Sequence, residues 1–251
     1  MVDIHSHVLY GLDDGARDCE TSVAMLRMAA AYGTSDIVAT PHSDLKFPFQ
    51  PDAIAAQIAE LSRFDAIPRL HRGCDFHLSF DNIQDLFEHP FRYTINGHGY
   101  LLVEFANQAI PEGIGDVLER MVDRGICPVI THPERNPLLA KDIPRVAEWV
   151  KLGCRVQVTG QSFTGRFGRK AALATQEFMR RNLVHFVASD AHDLEHRPPT
   201  LKLAFHFVQE EYGDETAHAL FYTNPALVLT GQPVSAAPEA TPKKRRWFKL
   251  W

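Results

Sequence analysis

Residues 3–15 read DIHSHVLYGLDDG. Two histidines one residue apart close a strand-like run, and a pair of aspartates follows just before Gly15. Side chains two apart on an extended strand point to the same side, so His5 and His7 can face one ion together. They would equally suit a partly exposed strand end. The placement of the remaining polar residues decides between the two.

Outward from that stretch, short β-rich runs alternate with longer helical patterns. The pattern predicts strands at 2–6, 36–40, 70–76, 100–105, 127–131, 154–159 and 184–188. It predicts helices at 20–32, 51–63, 113–124, 143–152 and 166–182. ETSVAMLRMAAAYG is representative: apolar residues fall at helical intervals and Gly33 closes the run as a C-cap. Residues 78–99 break the rhythm, and the Asn96-Gly97 turn signal predicts an extra hairpin there. About seven strand–helix alternations imply parallel pairing, in a barrel or an open sheet. From 232 the composition changes to QPVSAAPEATP and then KKRRWFKLW. One folded domain is therefore expected over 1–231, with a flexible linker and basic-aromatic tail over 232–251.

The 251 residues are 45% hydrophobic and 23% charged, values of a soluble globular chain. No run approaches the ~20 apolar residues of a membrane span. MVDIHSH has neither the basic nor the apolar region of a secretory signal. Cys19, Cys74, Cys127 and Cys154 form no CxxC pair and read as reduced thiols, which leads to a cytoplasmic expectation. Net charge is −5, while Lys243, Lys244, Arg245, Arg246 and Lys249 alone contribute +5, so the remainder carries −5 − 5 = −10. A body that acidic does not suggest a nucleic-acid surface, so no nucleic-acid partner is expected, and it suits carboxylates that hold cations.

The polar residues fall at strand ends. Strand 1 ends in His5 and His7, with Asp13 and Asp14 in the next loop; TPH puts His42 past strand 2. GCDFH gives Asp75, VEF gives Glu104, THPER gives His132 and Arg135. SDAHDLEHRPP gives Asp190, His192 and Arg197. Carboxyl edges of parallel strands converge on one face of a barrel, where active sites are built. Independently solvated residues would have no reason to prefer that edge, so the pattern favours a metal centre. Imidazoles with carboxylates and no thiolate suit Mn²⁺, Fe²⁺ or Zn²⁺ better than Ca²⁺ or a structural zinc. The ligands are too many for one ion and fit two or three. Asp3 reads as a structural strand-start residue and Asp13 as a turn former. Cys74 reads as core, and His77 as a residue on the substrate side or in solvent. His71 flanks strand 3 and His196 is undecided; His89, His98, His185, His206 and His218 read as surface or core.

In order and spacing, DIHSH, DDG, TPH, VEF, THPER and SDAH with RPP resemble the polymerase and histidinol phosphatase (PHP) superfamily. Within it, residues 1 to about 230 look most like the PHP-type protein-tyrosine phosphatases encoded with bacterial capsule and exopolysaccharide genes. The resemblance implies an α/β fold, a distorted (β/α)7 TIM-like barrel of PHP type, with up to three ions, often Mn²⁺. It would put His5, His7, Asp75 and Asp190 on one ion. Asp75, Glu104 and His132 would lie around a second, and Asp14, His42 and His192 around a third. Arg135 and Arg197 match arginines that family members use for phosphate. The family's bridging acid is usually glutamate in a GAE context, whereas Asp75 here is one methylene shorter, which leaves the ion count at two or three.

Two close divalent ions lower the pKa of water between them toward ~7, so a bridging hydroxide would be the expected nucleophile. The rival cysteine mechanism needs Cys-x5-Arg, and the sixth positions are Met25, Phe80, Pro133 and Gly160. The resemblance implies that the substrate is a phosphotyrosyl protein, a membrane-associated bacterial tyrosine kinase of polysaccharide synthesis. The alternatives are a PHP phosphoesterase for a small metabolite (histidinol phosphate, a nucleotide or a sugar phosphate) and a non-catalytic regulatory binder. KKRRWFKLW reads either as a solvated end or as a peripheral contact to anionic lipid that would hold the enzyme near the membrane. The oligomeric state is left open, a homo-oligomer included.

Overall fold

The computed structural model describes residues 1–235, 237 and 238. The predicted contact of the 243–251 tail with lipid lies outside the described residues. Nine strands, β1 (Val2–Ser6), β2 (Asp36–Ala39), β3 (His42–Ser43), β4 (Arg69–Arg72), β5 (Asp75–His77), β6 (Tyr100–Glu104), β7 (Cys127–Thr131), β8 (Arg155–Thr159) and β9 (Phe186–Ala188), are all parallel where they pair. They form a three-stranded sheet, β1-β2-β4, and a six-stranded sheet, β3-β5-β6-β7-β8-β9. Strands β1, β2 and β9 are buried along their whole length, as expected where both faces of a parallel sheet are covered.

The expected strand at 70–76 is broken into β4 and β5, and a short β3 follows β2. Gly73 sits at the break: a Cβ there would lie 2.7 Å from Val38 Cγ1 and 3.0 Å from Thr40 Cγ2. The chains cross closely at that point, so the ladder steps from one sheet to the other. At the far side Asp190 N donates to His5 O and His7 N to Ala191 O, both at 2.9 Å, tying β1 to the segment after β9. The strand pairing is thus parallel as expected, but it does not run as one closed ring.

Helices α1 (Cys19–Ala31), α2 (Pro51–Leu61), α3 (Phe80–Glu88), α4 (Ile114–Asp123), α5 (Ile143–Leu152), α6 (Gly160–Phe163), α7 (Gly168–Arg180), α8 (Lys202–Tyr212), α9 (Asp214–His218) and α10 (Asn224–Leu229) join and follow the strands. Helix α1 begins at Asp18, whose side chain accepts from Thr21 N at 2.8 Å, and ends with Gly33 at φ 89°. The hairpin expected over 78–99 is not formed. Ser79 caps α3 by accepting from Asn82 N at 3.3 Å, while Asn96 (φ 52°) and Gly97 (φ 78°) make only a helical turn. The Asn-Gly signal correctly marked positive φ, but no strands flank it. Ile83, Leu86 and Phe87 instead repeat at helical spacing.

Packing continues three residues past the expected end at 231. Val234 is buried, its carbonyl accepts from Arg155 Nη2 at 2.8 Å, and its N–H donates to the Tyr100 hydroxyl at 2.9 Å. No helix among the described residues is long and apolar enough to cross a membrane.

Candidate metal centre

The carboxyl ends of the strands bring the expected ligands together. His5 on β1 and His7 just past its end bring their Nε2 atoms 3.2 Å apart. Their other nitrogens are committed: His7 Nδ1 is 2.6 Å from Asp13 Oδ2 and His5 Nδ1 is 3.0 Å from Gln157 Oε1. Both partners are acceptors, so each Nδ1 donates and the two Nε2 lone pairs face one another. Such a pair needs a proton or a cation between it.

Asp75 makes the same demand. It is fully buried, and neither carboxylate oxygen has a hydrogen-bond partner among the described residues. His5 Nε2 and His42 Nδ1 stand 3.4 and 3.2 Å from Oδ2, within reach of charge attraction but without hydrogen-bond geometry. Buried carboxylates are ordinarily satisfied by protein donors or by ions. Four overlapping groups have ligand atoms within 4.8 Å of one another: His7, Asp14, His42 and His192; His5, His7 and Asp75; His5, His132 and Asp190; His42, Asp75 and Glu104. Together the four groups contain all nine of the expected ligands. His132 groups with His5 and Asp190, and stands 3.7 Å from Glu104.

Asp13 and Asp14 divide two tasks. Asp14 is half exposed, with Oδ1 3.4 Å from both His42 Nε2 and His192 Nε2. Asp13 faces inward, where it accepts from Gly15 N at 2.9 Å and from His42 N at 3.0 Å besides holding His7. It does fix the turn, and it also orients an imidazole, a role the sequence did not disclose. Gly15 explains the glycine of DDG: a Cβ there would lie 2.1 Å from the His7 carbonyl oxygen. His132 (φ 34°) and Asp190 (φ 51°) adopt left-handed backbone, which costs on the order of 1–3 kcal/mol each and concentrates at functional sites.

For the chain's own charges, burial opposes protonation of His5 but Asp75 and Asp190 outweigh it, raising its pKa to about 9. Burial likewise opposes protonation of His42, while Asp14 and Asp75 raise it to about 11. Burial together with the Asp75 charge lifts Glu104 to about 7. Burial and the positive charge of His7 lower His192 to about 4. Burial opposes ionisation of Asp190, yet His5, Arg135 and Arg197 hold it well below the carboxylate range. Arg135 Nη1 and Arg197 Nη2 both donate to Asp190 Oδ2, the latter at 2.5 Å. Both arginines therefore stand at the rim, joined to the cluster through one carboxylate.

Gln157 was missed, although a glutamine inside RVQVT is an alternation signal. Glu134, inside THPER, is also buried; its Oε1 accepts from Thr159 N at 2.9 Å and Ser162 Oγ at 2.7 Å, pinning the loop that carries Arg135. His71 lies outside the cluster, against Asp36 at 3.0 Å. His185 is a core histidine whose Nδ1 accepts from Val156 N at 3.2 Å. His77, His89, His98, His196, His206 and His218 join none of the four groups, and Cys74 is buried in the core.

The sequence pattern described as "Capsular polysaccharide synthesis, CpsB/CapC" matches residues 1–230. The chain belongs to the CpsB/CapC family. The CpsB/CapC relatives include the tyrosine-protein phosphatase YwqE of Bacillus subtilis (strain 168), 31% identical over 254 residues with 99% of each chain covered. The tyrosine-protein phosphatase CpsB of Streptococcus pneumoniae is 31% identical over 242 residues, covering 92% of this chain and 99% of that one. A crystal structure from work on YwqE and CpsB, described as unique metal-dependent tyrosine phosphatases, superposes with a TM-score of 0.88 at 30% identity. It covers 98% of this chain and 100% of that one.

Proposed function

We propose that this CpsB/CapC protein is a metal-dependent protein-tyrosine phosphatase acting on a phosphotyrosyl protein of polysaccharide synthesis, with a membrane-associated tyrosine kinase as the partner. The observation that carries the reading is Asp75, a buried carboxylate with no hydrogen-bond donor, set among histidines whose lone pairs converge. The donor set fits divalent cations, and manganese suits its mix of imidazole and carboxylate. His5, His7, Asp14, His42, Asp75, Glu104, His132, Asp190 and His192 would hold two or three ions. When bound, these would acidify water to give a nucleophile at neutral pH and would draw off phosphoryl charge. We also read the fold as a distorted (β/α)7 barrel, counting the broken pairs β2/β3 and β4/β5 as one strand each.

The chain's own groups supply the rest. Asp13 and Gln157 fix the tautomers that turn His7 Nε2 and His5 Nε2 inward. Asp190 draws Arg135 and Arg197 to one point, and each guanidinium keeps further N–H groups for the phosphoryl oxygens. Those groups strengthen their hold as charge builds on the transferring phosphoryl. A tyrosyl leaving group, with a phenol pKa of ~10, departs without an obligatory general acid. Cysteine chemistry is disfavoured: burial raises Cys127 to about 11 and Cys154 to about 12, and pushes Cys74 well up, so none is a ready thiolate.

A cytoplasmic, membrane-proximal location belongs to the same proposal, with residues 243–251 as an anionic-lipid contact. The substrate reading is tested by a panel at equal manganese loading. A phosphotyrosyl peptide is expected to exceed histidinol phosphate, nucleotides and sugar phosphates in kcat/KM; strong preference for one of those metabolites would overturn it.

A further inference from the structure

Beside the metal centre, a groove of about 690 Å³ runs between the segment after β7 and helix α7. Arg135 is the wall common to both: one end meets Asp190, and its guanidinium carbon lies 4.2 Å over the Phe167 ring, which lines the groove. The floor is apolar. Ile143 lies buried beneath it, and Leu173 lines it while 53% exposed, an unusual position for leucine on a helix that otherwise buries its apolar face. Lys141 and Lys170 stand exposed on the lining, and neither has an ion-pair partner among the described residues. The lining carboxylates do not offset them. Glu134 is buried against Thr159 and Ser162, and Glu177 is held by Arg180 and Arg181 at 2.6 Å each. An apolar trough with two free cations thus opens from the phosphate-facing arginine of a body whose net charge is −10 (−5 less the +5 of residues 243–251).

We infer that this groove receives the stretch of substrate polypeptide next to the phosphotyrosine, taking an aliphatic side chain against Leu173 and Ile143 and an acidic one against Lys141 and Lys170. The inference rests on the phosphatase reading and narrows it to peptides of acidic-aliphatic flank. Continuity through Arg135 is what favours polypeptide over a free anion. A ligand whose phosphate is held at the metal rim must leave by some path, and this wall leads into the trough. The cations suit carboxylates, and the floor adds apolar burial to a contact that charge alone would make weak. A small aryl phosphate ends before the groove begins, so it reports the chemistry without the flank.

The test uses the full chain loaded with manganese, p-nitrophenyl phosphate, and two phosphotyrosyl peptides that differ only in a Leu-Asp or a Ser-Lys flank. For the wild type, kcat/KM for the Leu-Asp peptide should exceed that for the Ser-Lys peptide by about tenfold, carried by KM. The double variant Lys141→Glu, Lys170→Glu should reverse the order. Leu173→Asp should cut the Leu-Asp peptide's kcat/KM by about fivefold or more relative to that for p-nitrophenyl phosphate. All three positions are exposed, and equal manganese content confirms that the site is intact. Flank preferences that are absent, or identical in wild type and variants, would overturn the groove while leaving the phosphatase standing. Failure to hydrolyse any phosphotyrosyl compound would overturn both.

Discussion

Asp36 and Asp75 each open a short strand, one in each sheet, each buried and each beside a histidine, yet they are treated in opposite ways. Asp36 opens β2 and is fully answered. Arg69 reaches Oδ1 through Nε at 2.9 Å and Oδ2 through Nη2 at 3.1 Å, and His71 Nε2 lies 3.0 Å from Oδ1. Asp75 opens β5 with no hydrogen-bond donor on either oxygen among the described residues. The same residue types make a clasp at Asp36 and an open socket at Asp75. What separates structure from function here is the accounting of donors, rather than burial or composition.

The strongest way to break that comparison is to neutralise each carboxylate. Asp75→Asn should lower phosphotyrosyl-peptide kcat by more than about a thousandfold and strip bound metal, since it removes a charge shared by two of the ligand groups. Retained activity would show that the socket is not the reaction centre. Next in size is Gly15→Ala, which pushes a methyl into the His7 carbonyl. Activity should fall about ten- to a hundredfold through displacement of one ligand, with the fold intact by circular dichroism.

Protons sharpen the comparison further. His5 and His42 are raised to about 9 and about 11, above the ordinary ~6.5, so both carry protons at neutral pH when no cation is present. A histidine ligand must be neutral, so binding releases protons and weakens by about tenfold for each unit fall in pH and each proton displaced. Manganese titrations at pH 6.5 and 8 in buffers of different ionisation enthalpy would measure this. In chelator, the stability from these pairs is fully present below pH ~6.5 and is lost as pH rises through about 9 for His5 and about 11 for His42. A flat manganese affinity across that window would contradict the assignment. The smallest effect belongs to the answered carboxylate: Asp36→Asn should cost about 1–2 kcal/mol in urea unfolding and leave metal content unchanged.

Much of the candidate centre was legible because side chains obey strand periodicity. His5 and His7 had to share a side, and each later ligand follows the apolar run of a parallel strand. The grouping of His132 with His5 and Asp190 was not legible, since loop paths after β7 and β9 set where His132 and Asp190 point, and both adopt left-handed backbone. The break at Gly73 was hidden because LHRGCDF reads as one continuous strand; only the close approach of Val38 and Thr40 reveals it. Helix α3 was obscured by a turn signal eight residues beyond its end, where local dihedral preference is strong but says nothing about the flanks. The groove could not be read at all, because Lys141 and Lys170 come from segments that meet only in three dimensions.

The most direct test of the cation socket is elemental analysis of the purified full chain paired with phosphotyrosyl-peptide turnover on the same samples, before chelation, after it, and after manganese is returned. Two or three equivalents of divalent metal per chain, activity that vanishes with them and activity that returns with manganese are the predicted results. Undiminished turnover by protein shown to hold no metal would contradict the account.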